Sequence, residues 1–93
     1  MKDLRAHYRD VNERLTGLKD LISDADRLRY FEESLDANEL EVALHALCDF
    51  LLEPRTPPVS RVPLREIETL HALMEIQDDC TKRLAEKADG AAP

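Results

Sequence analysis

The chain has 93 residues and a mass of 10.6 kDa, which bounds residues 1–93 to one domain with a modest core and roughly 5,500 Å² of exposed surface. Thirteen Lys and Arg stand against twenty Asp and Glu, a net charge of −7, and that sign argues against a nucleic-acid binder, which needs positive charge to displace phosphate counterions. Leu, Ile, Val and Phe supply 24 residues, above the disordered regime, and no apolar stretch approaches the length of a membrane span.

Charges interrupt the opening Met1-Lys2-Asp3-Leu4-Arg5-Ala6, so no signal peptide is expected and the chain reads as cytoplasmic. Leu4, Tyr8, Val11, Leu15, Leu18 and Ile22 recur at alternating steps of four and three, one stripe of a helix over residues 3–22. Gly17 lies inside it as a place to bend or end. Ser23 or Asp24 can cap a second helix over 24–35, with Leu28, Phe31 and Leu35 inward. After Asp36-Ala37-Asn38, Asn38 with Glu41 resembles a capping box that opens a third helix over 39–52. Its apolar arc, from Leu40 through Leu44 and Leu47 to Leu51, is wide enough to predict the most buried helix.

The stretch 53–63 holds four of the five prolines and reads as an extended connector, with Pro54-x-x-Pro57 matching only the minimal polyproline-ligand pattern. Pro63 suits a helix N-terminus, where its missing N–H is not needed. A long fourth helix is predicted over 64–87, lined by Ile67, Leu70, Leu73, Met74, Cys80 and Leu84. Gly90 can stop it, and the tail 89–93 is expected to fray. The fold class expected is therefore all-α: a small four-helix bundle with one Pro-rich connection before the last long helix.

No arrangement of residues points to catalysis. Cys48 and Cys80 belong to no paired-Cys motif and read as two reduced, buried small hydrophobes, with a disulfide or a reactive thiol as the alternatives. His7, His45 and His71 each have a carboxylate within one helical turn, which reads as surface pairing. Glu68-Thr69-Leu70-His71 is a lone Glu-x-x-His pair, where a di-iron bundle site needs two. The serines lack a nucleophile elbow. The chain is thus expected to be no enzyme and to hold no cofactor and no metal.

Charge placement says more. Residues 1–38 carry a net charge of −2 and residues 39–93 a net charge of −5. Glu41, Asp49 and Glu53 on the third helix, and Glu68, Glu75, Asp78 and Asp79 on the fourth, lie off the apolar stripes. If those helices are neighbours, these seven residues form one acidic face for a basic partner, where opposed potentials speed association and set specificity.

The run from Glu41 to Glu53, with Ala43-Leu44, the Leu47-Cys48-Asp49 core and the closing Glu53, resembles small bacterial immunity proteins of the MafI type. Pro58-Val59 and the run from Ile67 to Met74 fit the continuation, so the resemblance covers roughly residues 38–76. It implies a non-enzyme that binds and neutralises a cognate secreted toxin domain, and the acidity suggests a basic, nuclease-like one. A helical adaptor or regulatory subunit, dimerising through an exposed stripe from Leu4 to Ile22, is the alternative. Neither reading involves nucleic acid or a membrane.

Overall fold

A computed structural model describes residues 4–91, and these are all-helical, without a strand. Five α-helices occur among them: α1 (Leu4–Thr16), α2 (Ala25–Asp36), α3 (Leu40–Leu51), α4 (Arg61–Leu73) and α5 (Cys80–Ala91). None is long and apolar enough to cross a membrane. Asp3, the first residue of the predicted opening helix, lies outside the described residues, as do Ala92 and Pro93 of the predicted frayed tail.

The helix expected over 3–22 stops early. Thr16 Oγ1 donates to the Asn12 carbonyl at 2.8 Å, and Gly17 follows with its poor helix propensity. Leu18 then closes a tighter i to i+3 bond to the Leu15 carbonyl at 2.9 Å, and a 3₁₀ turn over Lys19–Leu21 carries the chain on. That tightening keeps Leu18 and Ile22 in the core with Val11 and Leu15, while Leu4 and Tyr8 remain exposed. Asp24 caps α2, its side chain accepting from the Arg27 amide at 3.0 Å.

The α2–α3 corner differs from the predicted capping box. Asn38 has φ 59°, in the left-handed region; its amide reaches the Leu35 carbonyl at 3.0 Å and the Glu39 amide reaches the Ser34 carbonyl at 2.8 Å. This is the Schellman ending of α2, with Asn tolerated at its left-handed position. Glu39, without a side-chain cap bond, begins α3. Seven of the twelve residues of α3 are buried, more than in any other described helix, and α2 packs along it.

The Pro-rich connection runs from Leu52 to Ser60 and precedes the fourth of five helices, not the last. Buried Thr56 pins it by donating to the Phe50 carbonyl at 2.8 Å, and Val59 inserts into the core. Helix α4 starts at Arg61, so Pro63 sits within its first turn, where no backbone donor is lost.

The long helix predicted over 64–87 is two helices. A second Schellman ending breaks it: Glu75 has φ 56°, its amide reaches the Ala72 carbonyl at 3.2 Å, and the Ile76 amide reaches the His71 carbonyl at 3.0 Å. Helix α5 then runs through Gly90 to Ala91, so residues 89–91 are helical, contrary to the frayed tail. Three features hold it in place, two of them direct links to the α3 region. Leu84 is buried in the common core. Lys87 Nζ donates to the Leu51 and Glu53 carbonyls at 2.8 and 2.7 Å, placing a cation on the negative end of α3. Cys48 and Cys80 form a disulfide with Cα atoms 6.2 Å apart, which replaces the two reduced hydrophobes expected from sequence.

Candidate functional site

Both Schellman corners open onto one groove of about 640 Å³ between α1, the start of α3 and the end of α4. Leu4, Tyr8, Val11, Leu40, Val42 and Met74 give it an apolar lining, and Glu39, Glu41 and Glu75 add carboxylates. All three Glu are exposed. Leu4 and Tyr8, 60% and 45% exposed, are the apolar groups a partner can cover there. Glu75 occupies a left-handed conformation that costs a side chain with a Cβ about 1–2 kcal/mol, a strain often found at functional positions.

The seven predicted acidic residues do not act as one set. Glu41 and Glu75 meet at this groove. Glu53 is half-buried and already paired: its carboxylate meets Arg27, whose guanidinium also lies 5.8 Å from the centre of the Phe50 ring. Asp78 is engaged with histidines, its carboxylate 3.1 Å from His71 Nε2 and 3.5 Å from His45 Nε2. Asp49, Glu68 and Asp79 are exposed and line no part of the groove. Glu39, which sequence reasoning passed over, does. Its signal was its place directly after the Asn38 break.

Further along α1, Arg14 ties this helix to α4. Its Nη1 donates to Glu66 at 3.0 Å and its Nε to Asp10 at 3.2 Å. The hydrogen bond donated to Glu66 and the nearby Asp10 charge raise the guanidinium pKa above its ordinary value, so Arg14 stays charged.

Behind the break between α4 and α5 lies a second group of side chains. The Cys48 and Cys80 sulfurs and a ring nitrogen of His71 all lie within 4.8 Å of one another, and all three residues are buried. His71 was expected on the surface beside Glu75. It faces the core instead, because it follows Ile67 by four and shares the buried side of α4 with Ile67 and Leu70. That spacing was the signal available in the sequence. His71 Nδ1 donates to the Ile67 carbonyl at 2.8 Å, since a carbonyl can only accept. Nε2 is buried and has no aligned hydrogen-bond partner, although Asp78 Oδ1 is close.

Compared with protein-family models, with curated proteins and with solved structures, the chain matches none.

Proposed function

We propose that this protein is an immunity protein: it binds a cognate secreted toxin domain in the bacterial cytoplasm and blocks its active or substrate-binding surface, without catalysis of its own. The observation that carries the reading is the groove where α2 and α4 end. It offers an apolar lining with exposed Leu4 and Tyr8, and carboxylates from Glu39, Glu41 and Glu75. Such a surface suits a basic, partly apolar patch, of the kind a nuclease uses to grip phosphate. Carboxylates pair with its Lys and Arg through charge-assisted bonds, and the aromatic ring supplies the anchor at the centre. The resemblance of Glu41–Glu53 to MafI-type immunity proteins supports the same reading, and Glu41 is common to both.

The test is co-expression with the toxin domain encoded beside this chain. Growth rescue and a stable complex are expected. The triple charge reversal Glu39→Lys, Glu41→Lys and Glu75→Lys should slow association by at least about tenfold, as loss of electrostatic steering does. Failure of both rescue and complex formation would overturn the proposal, and unchanged association of the folded triple variant would move the docking face elsewhere.

The second reading, self-association as an adaptor, draws on the same exposed Leu4 and Tyr8. Sedimentation across a concentration range separates the two: a monomer throughout removes it.

A further inference from the structure

We infer that Cys48, Cys80 and His71 form a Zn²⁺ site when the disulfide is reduced, so that α3, α4 and α5 are cross-linked covalently in one redox state and by a metal ion in the other. The two sulfurs and a ring nitrogen of His71 already stand within 4.8 Å of one another. Around a tetrahedral Zn²⁺, with Zn–S about 2.3 Å and Zn–N about 2.0–2.1 Å, ligand atoms lie about 3.3–3.8 Å apart, so adjustments of about 1 Å close the set. The sulfurs must also separate from bonding distance, about 2.0 Å, to about 3.8 Å. Side-chain rotation over Cα atoms 6.2 Å apart can supply that movement.

The histidine is set up for the role. A zinc-binding imidazole characteristically donates its other N–H to a carbonyl or carboxylate, which fixes the tautomer and orients the ring. His71 Nδ1 does this to the Ile67 carbonyl at 2.8 Å, leaving the Nε2 lone pair for a metal. The His71 side chain is only 8% exposed, and its Nε2 is the one buried side-chain polar atom without a hydrogen-bond partner among the described residues. A buried polar atom with no partner is costly unless something binds it.

Asp78 stands outside that 4.8 Å set but beside the histidine, and a shift of its side chain would bring in the fourth ligand. Its Oδ1, 3.1 Å from Nε2, is near the N···O separation of about 3.3 Å within a zinc tetrahedron. The Cys80 amide holds that oxygen in place at 3.0 Å. Two thiolates and an imidazole favour Zn²⁺ over the harder Mg²⁺ and Ca²⁺.

The exchange balances with a dithiol reductant of the cell. Two electrons pass from that dithiol to the Cys48–Cys80 bond, the reductant leaves as its own disulfide, and both cysteines become thiols. Zn²⁺ then binds as a Lewis acid, and the two thiol protons go to water. Compartments rich in such dithiols keep most protein cysteines reduced.

The test uses the full chain, reduced with a phosphine, freed of metal and titrated with Zn²⁺ or with Co²⁺ as a coloured probe. One ion per chain is expected by native mass spectrometry, with sulfur-to-cobalt charge-transfer absorption that added Zn²⁺ abolishes. His71→Gln should weaken Zn²⁺ binding by at least about 100-fold, the upper end of what losing even an outer-shell partner costs, and Asp78→Asn by about tenfold. His7→Gln, in the groove and away from these ligands, should leave affinity unchanged. The oxidised chain should give no charge-transfer band.

A reduced chain that takes up neither ion overturns the inference. So does a cobalt spectrum without thiolate bands, or a folded His71→Gln variant of unchanged affinity. Should that variant not fold, zinc-edge absorption on the native sequence decides. Two sulfur neighbours support the site, and fewer overturn it.

Discussion

Glu75 shows at the scale of one residue how this chain sets local strain against use. The Glu75 and Ile76 amides both find helical carbonyls, so the left-handed conformation persists, but glycine would adopt it without a Cβ penalty. Glu75→Gly is therefore expected to stabilise the fold by about 0.5–1 kcal/mol, the part of the left-handed penalty left after glycine's greater unfolded-state freedom. A rise in the urea midpoint without a change in slope would show it. The same variant should bind the toxin domain less well, because it removes one of the groove's carboxylates. Stability and binding moving in opposite directions is the signature of strain kept for function. If the variant is destabilised, the turn is not the source of strain.

At the scale of elements, the stripes on α2 and α3 are written in their apolar spacing, and these helices begin and end within a residue or so of their predicted bounds. The break between α4 and α5 is not written that way. Neither glycine nor proline marks Met74–Asp79, and the apolar positions run on from Ile67 to Leu84 as though one helix carried them. What divides them is tertiary: His71 and Cys80 must both reach the core beside Cys48. The Cys48–Cys80 bond was only an alternative in the sequence for the same reason, since 32 residues and a change of direction separate partners that only packing brings together. At the candidate groove, Glu41 and Glu75 were found by charge and spacing. Glu53 and Asp78 looked equivalent to them in sequence, but Glu53 pairs with Arg27 and Asp78 lies beside His71 and His45, away from the groove.

Lys87 is likewise an element-scale device. It bonds the Leu51 carbonyl in the last turn of α3 and the Glu53 carbonyl just beyond it, and so docks α5 end-on. Lys87→Met keeps much of the aliphatic stem but removes both bonds. A loss of about 1–2 kcal/mol is expected, from the usual worth of charged hydrogen bonds discounted for partial exposure. Amide exchange should quicken first at the last turn of α3 and in α5. Uniform acceleration across all helices would instead mean that α5 is not a separable unit.

For the whole molecule, the exposed area of 6480 Å² exceeds the roughly 5,500 Å² typical of this mass, and the extents of 47 × 29 × 19 Å show why: the helices form an elongated body. A core of this size leaves little margin, so the cross-link from α3 to α5 weighs heavily. Closing a loop over a separation of 32 residues stabilises by about 3–4 kcal/mol in the chain-entropy account, a large share of the roughly 5–15 kcal/mol of a small domain. Reduction in the absence of metal is therefore expected to lower the melting temperature by about 15–25 °C, at about 4–8 °C per kcal/mol for a chain of this length. Equimolar Zn²⁺ should restore most of that in the reduced native chain, because metal binding to the folded state adds directly to stability. The double variant Cys48→Ala and Cys80→Ala separates the two contributions. It should melt near the reduced, metal-free chain and gain nothing from Zn²⁺. A double variant as stable as the oxidised protein would mean that Leu84 and Lys87 alone hold α5 in place.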